Sequence, residues 1–372
     1  MPGYIYRCDL SKHYRRHGKE IMKAMAKVAA SGVYTLGMEV GLFEEEFAGY
    51  IGRNYGVGVA SGTDALILAL KAAGIKSGDE VITTVYAPTP VPTAIVLAGG
   101  VPVFTDIDES NCLMAADRIA KKITSRTKFI IAVHLFGSVC DMTSIMRLAR
   151  KRRLTVIEDC AQAHGSAFAG RKAGTFGALA CFSFYPTKNL GAYGDGGMVL
   201  TDSEKDNRVL RALRNYGKEK NPFDSETPGY NSRLDELQAA VLRVKLRRLE
   251  RDNRRRVSLV AVYRKALKGL PIRFPGLYPG STSNYHVLNV LCRSCRDRLS
   301  VYLEKSGIQT NVYYPTPLYR MRAFARYVRS RERFPVSERI SRQALALPLY
   351  PELDEDTVRY ITVKIRKFFE NG

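Results

Sequence analysis

The chain has 372 residues, of which 45% are hydrophobic and 25% charged, and its formal net charge is +22. This composition is typical of a globular protein, excludes an intrinsically disordered chain, and at this length predicts two domains with a substantial core. No window approaches the roughly 18 uninterrupted apolar residues of a membrane-spanning helix. The amino-terminal segment lacks the apolar stretch of a secretory signal peptide, so we expect neither feature.

Short apolar runs alternate with helical patterns through the first half of the chain. A helix is predicted over 15–30, because Ile21, Met25 and Val28 recur on one side of it. Strands are predicted at 57–60, 81–85, 101–107, 129–135, 154–159 and 180–186, with further helices at about 63–73, 114–124 and 141–152. This alternation predicts an α/β fold with a mostly parallel central sheet, in which ligands gather beyond the carboxyl ends of the strands.

The remainder of the chain predicts a smaller α+β unit. A long helix is predicted over about 232–268, because apolar residues recur there every three or four positions. It is followed by a strand at 285–292, a helix at about 296–306 and a strand-like segment at 309–315. We place the domain boundary within the long helix, which gives a large domain over 1–250, with the amino-terminal helix included, and a small domain over 251–372.

Positive charge is concentrated in the carboxyl-terminal third of the chain. Residues 1–240 carry 30 basic and 25 acidic side chains, whereas residues 241–372 carry 28 and 11. Such a balance indicates binding to nucleic acid, binding to an anionic small molecule, or simply a basic surface exposed to solvent. The arginine-rich run at 247–256 has little aromatic interleaving, and the chain shows neither zinc-finger spacing nor a helix-turn-helix pattern. Nucleic-acid binding without catalysis is therefore the weaker alternative.

The chain contains seven cysteines, at positions 8, 112, 140, 160, 181, 292 and 295. An odd number favours free thiols and therefore a reducing cytoplasm. Cys292 and Cys295 form one CxxC pair, but a structural zinc site needs further ligands close by. We therefore expect no metal site from this pattern.

Residues 60–66 follow a predicted strand and open a predicted helix. Gly62 permits a close backbone approach, Ser61 and Thr63 offer hydroxyl groups, and a helix N-terminus supplies unpaired N–H groups. Together these features suit a phosphate. The alternative interpretation is an ordinary helix cap, which is the commoner role of serine and threonine at such a position.

Charged residues follow two buried strands at the edge where ligands gather. Asp159 ends the strand 154–159 beside Glu158, and adjacent strand residues point to opposite faces, so the two carboxylates must have separate tasks. Lys188 follows the strand 180–186. A lysine there tends to have a lowered pKa and can act as a Schiff-base nucleophile, although the commoner outcome is a lysine that reaches solvent. A lysine, a carboxylate and a phosphate cradle at three strand ends are the parts that pyridoxal phosphate (PLP) requires.

Four motifs in the correct order carry a resemblance to a known family. They are SGTDAL at 61–66, EDCAQAHGS at 158–166, FSFYPTKNLGAYGDGGM at 182–198 and YNSRLDELQAA at 230–240. In them the chain resembles the DegT/DnrJ/EryC1/StrS family of PLP-dependent nucleotide-sugar aminotransferases, and the match extends over nearly the whole chain. The resemblance implies a fold type I PLP-dependent transferase, with a large domain around a mostly parallel sheet and a smaller carboxyl-terminal α+β domain.

The resemblance also implies roles for individual residues. Lys188 occupies the position of the catalytic lysine that binds the cofactor as an imine, and Asp159 that of the carboxylate that pairs with the pyridine nitrogen. The other cofactor-binding positions are Gln162 near the phenolic oxygen, Gly62, Thr63 and Ser183 at the phosphate, and Asn231, which the family presents to the partner subunit's cofactor. The implied unit is therefore a homodimer with shared active sites.

The resemblance is weaker at the positions that cover the cofactor ring and meet the sugar. Family members commonly place an aromatic residue on the pyridine ring, but that position falls on Pro88 here, with Tyr86 as a nearby substitute. The segment that often reads HYP begins with Tyr313, as in some members that aminate the sugar at C3. Tyr313 can donate a hydrogen bond to a hydroxyl or a phosphate, so we expect it to bind substrate.

Arg233 is a second candidate for substrate binding, because it lies beside Asn231 and the substrate carries a diphosphate. The alternative is an ion pair between Arg233 and the nearby Asp235 or Glu236. The sequence alone leaves both open.

The implied activity is transfer of an amino group from glutamate, the expected donor, to a keto sugar linked to a nucleoside diphosphate. A small branch of the family has histidine at the position of Lys188 and dehydrates its substrate. The lysine therefore favours transamination over a PLP-dependent dehydratase or lyase. A catalytically silent relative is a further alternative, against which Lys188, Asp159 and Gln162 weigh.

Overall fold

The computed structural model describes residues 3–219, 221, 223–328 and 332–370. Its helices are α1 (Leu10–Ser31), α2 (Met38–Ile51), α3 (Gly62–Ala72), α4 (Pro90–Leu97), α5 (Ala116–Ala120), α6 (Met142–Arg152), α7 (Glu204–Leu213), α8 (Glu236–Leu246), α9 (Leu249–Ala266), α10 (Arg296–Lys305), α11 (Pro335–Gln343) and α12 (Glu355–Glu370). Its strands are β1 (Tyr55–Val59), β2 (Glu80–Thr84), β3 (Val101–Thr105), β4 (Thr127–Val133), β5 (Thr155–Asp159), β6 (Ala167–Phe168), β7 (Arg171–Lys172), β8 (Leu179–Ser183), β9 (Gly197–Thr201), β10 (Ile272–Arg273), β11 (Ser281–Thr282), β12 (Leu288–Cys292) and β13 (Ala344–Leu347). Within the described ranges, no helix is both long and apolar enough to cross a membrane.

The largest sheet has seven strands in the order β1-β9-β8-β5-β4-β2-β3. The pairs β2-β3, β2-β4, β4-β5 and β5-β8 are parallel, whereas β9 is antiparallel to both of its neighbours. The predicted α/β fold with a mostly parallel central sheet is therefore confirmed. Because the parallel strands share one direction, their carboxyl ends meet at the same edge of the sheet.

Three strands of this sheet are buried along their whole length. Every residue of β2, β8 and β9 is buried. This is the pattern expected when helices cover both faces of a parallel sheet, and it explains why β2 and β8 read as mostly apolar runs in the sequence.

Side-chain caps fix the starts of two helices of the large domain. At the start of α3, the Ser61 hydroxyl accepts the N–H of Asp64 at 3.1 Å. At the start of α2, the Glu236 carboxylate accepts three backbone N–H groups at 2.8, 2.8 and 3.0 Å. These contacts satisfy N–H groups that have no partner inside the helix, and the second ties α2 to α8.

Three of the differences between the structure and the predicted elements bear on the sheet and the domain boundary. The helix predicted over 232–268 is two helices, α8 and α9, because Arg247 and Arg248 interrupt it. The described segment 309–315 forms an isolated bridge from Asn311 to Ala346 and no strand. Strand β9 was not predicted, since its short apolar run directly follows a glycine-rich loop.

Buried apolar residues form two main clusters. The larger surrounds the seven-stranded sheet. The smaller joins α9, β12 and α12 through residues such as Leu259, Val290 and Ile361, and it includes Ile5 from the amino-terminal segment. The division into domains 1–250 and 251–372 stays a prediction, and its boundary falls at the start of α9.

Candidate active site

Lys188 and Asp159 lie at the carboxyl edge of the parallel strands, as the sequence predicts. Asp159 is the last residue of β5 and is 4% exposed. Lys188 lies in the turn after β8, where its backbone N–H donates to the Tyr185 carbonyl at 2.8 Å. Its side chain lines a cavity whose walls also include Asn189 and Arg256. The lysine is therefore half-buried and faces a partly open cavity.

The surroundings of Lys188 favour the neutral amine. Burial lowers the pKa of Lys188 to about 8, and the negative charge of Asp159 partly opposes this effect. The positive charge of Arg7 lowers the pKa further. A larger fraction of this amine is therefore neutral near pH 7 to 8 than for an ordinary lysine, and only the neutral form is a nucleophile.

Asp159 and the adjacent Glu158 have separate surroundings, as the alternation of strand residues predicts. Asp159 accepts one hydrogen bond, from the N–H of Ala161 at 3.0 Å, and burial raises its pKa while Lys188 opposes the rise. Glu158 accepts three backbone N–H groups from residues 174–177 at 2.7–2.8 Å, and it contacts the ring of His134 at 3.0 Å. Glu158 is therefore occupied in holding the fold, whereas Asp159 retains free acceptor capacity.

Gln162 is held at both ends of its amide. Its Oε1 accepts the backbone N–H of Phe136 at 2.7 Å, and its Nε2 donates to the Tyr314 hydroxyl at 3.0 Å. The rings of Phe136 and Tyr314 also stack, with centroids 6.3 Å apart. Sequence reasoning did not single out Tyr314, which reaches the site from 152 residues away in the chain.

The start of α3 and the end of β8 form one narrow cradle. A Cβ atom added at Gly62 would lie 2.5 Å from the Cβ of Ser183, so only glycine fits there. The N–H groups of Asp64 and Ala65 bond to Ser61, whereas those of Gly62 and Thr63 have no hydrogen-bond partner among the described residues. Two backbone donors at a helix N-terminus thus remain available to an anion.

Tyr86 does not present its ring to the cavity. It is fully buried, it packs edge-on against Phe136 and Tyr314, and its hydroxyl donates to the carbonyl of Tyr313. Pro88, two residues later, keeps partial exposure. The structure therefore gives Tyr86 a packing role, so it does not substitute for the stacking aromatic residue whose position falls on Pro88.

Tyr313 meets the amino-terminal segment of the chain. The guanidinium of Arg7 lies over its ring at 5.4 Å from the centroid, and its hydroxyl accepts from the Asn311 amide at 3.0 Å. Arg7 forms no ion pair with any described residue, and it is close enough to Lys188 to lower the pKa of that amine. Sequence reasoning missed Arg7, because nothing in residues 1–10 marks it as part of a site formed 180 residues later.

Asn231 and Arg233 lie on either side of Ser232, which attaches their loop to the cradle. The Ser232 hydroxyl donates to Asp64 at 2.8 Å. Asn231 is exposed, and Arg233 donates to the side chain of Asn215 at 3.3 Å. Within the described ranges Arg233 makes no ion pair, and the nearby Glu236 is occupied in capping α2. The predicted alternative of a local ion pair is therefore not observed.

Several arginines of the carboxyl-terminal third are engaged inside the chain. Arg243 bonds to Glu39 and Glu46 at 2.6 Å each, and Arg256, which is 4% exposed, donates to the Leu349 carbonyl at 3.0 Å. Such contacts account for part of the positive charge of this region. They weaken the nucleic-acid interpretation that the charge alone allowed.

Comparison with known proteins agrees with this geometry. The DegT/DnrJ/EryC1/StrS aminotransferase family matches residues 15–366. The chain is 40% identical over 359 residues to the UDP-N-acetyl-3-dehydro-alpha-D-glucosamine 3-aminotransferase of Acidithiobacillus ferrooxidans, and the alignment covers 96% of each chain. It is 41% identical over 360 residues to the dTDP-3-amino-3,6-dideoxy-alpha-D-galactopyranose transaminase of Aneurinibacillus thermoaerophilus, covering 97% of this chain and 98% of the other.

Solved structures show the same fold. The crystal structure of DesV from S. venezuelae in complex with a ketimine intermediate matches this chain with a TM-score of 0.96, at 39% identity and with 99% of both chains covered. Because the family match spans nearly the whole chain, and the relatives align over almost their full lengths, this chain belongs to the DegT/DnrJ/EryC1/StrS aminotransferase family and is an aminotransferase.

Proposed function

We propose that this aminotransferase uses PLP and moves an amino group from glutamate to C3 of a keto sugar linked to a nucleoside diphosphate. The observation that carries the proposal is the lysine with a pKa of about 8 at the end of β8, close to a buried carboxylate at the end of β5. The names of the relatives at about 40% identity specify 3-amino or 3-dehydro sugars carried by dTDP or UDP, which supports C3 and the nucleotide.

The described residues fit PLP as the cofactor. The cradle at Gly62 and Ser183 leaves backbone N–H groups and a hydroxyl for a phosphate. Asp159 has acceptor capacity left for a protonated ring nitrogen, and Lys188 supplies an amine that is easily deprotonated. When bound, the cofactor supplies an electron sink that stabilises negative charge on the carbon that loses a proton.

In this proposal the protein's own groups bind and move protons. The Nζ atom of Lys188 serves as nucleophile toward the cofactor and as the base and acid that carries a proton between carbon atoms. The carboxylate of Asp159 accepts a hydrogen bond from a ring nitrogen and keeps it protonated. Gln162 is fixed at both ends by Phe136 and Tyr314, so it holds one position against the cofactor.

Substrate binding is proposed for residues at the rim. Arg233 has no carboxylate partner among the described residues and has guanidinium donors available for the diphosphate, which suits its planar donor fork. Tyr313 is placed by Arg7 and Asn311 so that its hydroxyl can meet a sugar hydroxyl or a phosphate. The half-buried guanidinium and phenol would orient the sugar before the amine is transferred.

We further propose that the active unit is a homodimer in the cytoplasm. Asn231 supports the dimer, because its side chain is exposed and lies on the loop attached to the phosphate cradle, where it can reach a second copy. All seven cysteines are free, which fits a reducing compartment. Light scattering at several protein concentrations tests the dimer, and Asn231→Ala should lower PLP affinity only if the sites are shared.

The test of the proposed function starts from protein purified with PLP. The spectrum should show a band at about 410–430 nm, which glutamate should convert into one near 330 nm, and a 3-keto nucleotide sugar should restore the first band where a 4-keto isomer does not. Lys188→Ala should abolish the exchange, while Lys205→Ala, an exposed lysine on α7, should leave it unchanged. A 4-keto sugar that restores the band better would overturn the C3 assignment, and loss of water in place of amine transfer would favour the dehydratase.

A further inference from the structure

Three side chains that could hold a metal ion meet outside the proposed catalytic groups. His13 and His17 are four residues apart on α1, so their side chains lie on one face of the helix. Glu352 approaches them from the segment between β13 and α12. Their ligand atoms all lie within 4.8 Å of one another.

Each of these side chains has a buried polar atom with no hydrogen-bond partner among the described residues. The atoms are Nδ1 of His13, Nε2 of His17 and Oε1 of Glu352. Buried polar atoms are normally satisfied, because leaving one unpaired costs about 1–3 kcal/mol. Each member of this close cluster therefore keeps a buried polar atom that a shared ligand would satisfy.

A second cluster in the same chain shows the contrast. His134, Glu158 and Cys160 lie equally close together. The carboxylate of Glu158 is already occupied by three backbone N–H groups and by the ring of His134. That cluster is satisfied without an ion, whereas the cluster on α1 is not.

We propose that His13, His17 and Glu352 bind a divalent transition metal, with Zn²⁺ the best match. Two imidazoles and one carboxylate form the ligand set of several three-residue zinc sites, in which the fourth position is open. Imidazole ligands exclude Mg²⁺ and Ca²⁺ as preferred occupants, because those ions select oxygen atoms. A contraction of the present spacing to about 3.3 Å between ligand atoms would complete a tetrahedral site with bonds of about 2.0–2.1 Å.

The charged groups around His13, His17 and Glu352 include some that favour and some that oppose the binding of a cation. Burial lowers the pKa of His13 to about 3, and Lys245, Arg248 and Arg16 lower it further. The neutral imidazole that results is the form that binds a metal, but the same basic groups repel a cation. Arg248 is paired with Glu20, which reduces that repulsion.

Three more charged groups of α9 act on the trio, and one of them is Arg256, whose positive charge acts on Glu352. Asp252 acts on both His17 and Glu352 and adds negative charge, and its partner Arg251 is the remaining basic neighbour of His17. The carboxylates of Glu352 and Asp252 are therefore the negative groups that would face a divalent ion here, and the basic side chains around them oppose its binding.

The place of the trio suggests what the metal does. His13 and Glu352 line the same cavity as Lys188. A metal would tie the start of α1 to the segment before α12 at the wall of that cavity. It would fix the amino-terminal segment that carries Arg7 against the carboxyl-terminal unit.

The test uses untagged, full-length holoenzyme freed of metals by a chelator and titrated with Co²⁺. We expect one equivalent per chain, visible d–d bands typical of four-coordinate Co²⁺, and displacement by Zn²⁺. His13→Ala and His17→Ala should each weaken Co²⁺ binding by at least about tenfold. Glu355→Gln, a nearby carboxylate that pairs with Arg255, is the matched control and should change nothing.

A second variant distinguishes the loss of a metal ligand from the loss of the folded structure. His17→Cys keeps a ligand at the same helix position, so it should retain Co²⁺ and add an intense near-ultraviolet thiolate band. A merely structural histidine would give no such band. The proposal is overturned if the wild-type protein takes up no stoichiometric Co²⁺, or if uptake survives unchanged in both alanine variants. These readouts do not depend on aminotransferase activity, so their failure would leave the proposed function untouched.

Discussion

The pKa of Lys188 makes a quantitative prediction about stability in the absence of cofactor. Burial lowers this pKa from 10.5 to about 8 in the folded chain. Between these two values, the unfolded chain binds a proton that the folded chain lacks. The free energy of unfolding of the wild-type protein therefore rises with pH across that window, from the contribution of this group.

The size of the rise follows from the shift. Each pKa unit corresponds to about 1.4 kcal/mol, so the full window of about 2.5 units gives at most about 3.4 kcal/mol. The amine opens onto a cavity, and screening there reduces the value below this ceiling. Methionine at position 188 has a similar shape and no charge, so Lys188→Met lacks the rise. The variant should be more stable than the wild type below pH 8, and the gap should shrink toward pH 10.5.

Urea unfolding of both cofactor-free proteins at pH 7.5, 9 and 10 measures this gap directly. Groups such as the tyrosines titrate in both proteins, so their effects cancel in the difference. Lys205→Met, in which the lost lysine is exposed on α7, should show no comparable trend. A wild-type-to-Lys188→Met difference that stays constant from pH 7.5 to 10 would refute the reasoning, since it would mean that burial does not perturb the amine.

Three further substitutions test separate contacts. Asp159→Asn keeps the shape but removes the acid, so turnover should fall by at least about tenfold while PLP remains bound, as kcat and the cofactor spectrum would show. Gly62→Ala places a Cβ 2.5 Å from Ser183, so it should shift the start of α3 and raise the PLP dissociation constant in equilibrium dialysis, by about 1–3 kcal/mol of binding. Glu236→Ala removes the acceptor of three N–H groups at α2 and should lower the free energy of unfolding by about 1–3 kcal/mol in urea.

Each of these has a result that would contradict it. Unchanged turnover in Asp159→Asn would assign the ring nitrogen to another acid. Full PLP affinity in Gly62→Ala would show that the cradle widens freely. Gly74→Ala serves as its control, because a Cβ at Gly74 meets nothing within 4 Å, although its backbone conformation at φ +81° carries its own cost in stability. Unchanged stability in Glu236→Ala would mean that water replaces the carboxylate.

Most of the large sheet could be predicted from the sequence because its signals are local. Six of its seven strands read as short apolar runs, since burial on both faces forces continuous apolar residues. The seventh, β9, follows glycines that favour a loop, and its place in the sheet depends on pairing with β1 and β8. The break between α8 and α9 could not be predicted either, because the regular spacing of apolar residues continues across Arg247 and Arg248.

Some residues of the candidate site could likewise be predicted from local sequence, whereas others could not. Lys188 and Asp159 could be chosen from their positions after buried strands, and Gln162 and Ser183 from motifs that are contiguous in sequence. Tyr314 could not be chosen, because its role depends on a hydrogen bond to Gln162 that only the folded chain creates. No local pattern encodes a contact between residues 152 positions apart.

The amino-terminal segment shows why a single domain boundary near residue 250 does not describe how the chain packs around Lys188. Ile5 bridges to Ile308 and packs in the smaller apolar cluster, and the Arg7 carbonyl accepts the N–H of Leu349 at 3.1 Å. Residues 5–7 therefore pack with the predicted carboxyl-terminal unit, while α1, which follows them, packs on α8 of the predicted large domain. Because the chain crosses between the two units within a few residues of Arg7, any movement between them would change the distance from Arg7 to Lys188. The charge that lowers the pKa of the Lys188 amine is thus coupled to how the two units are held together.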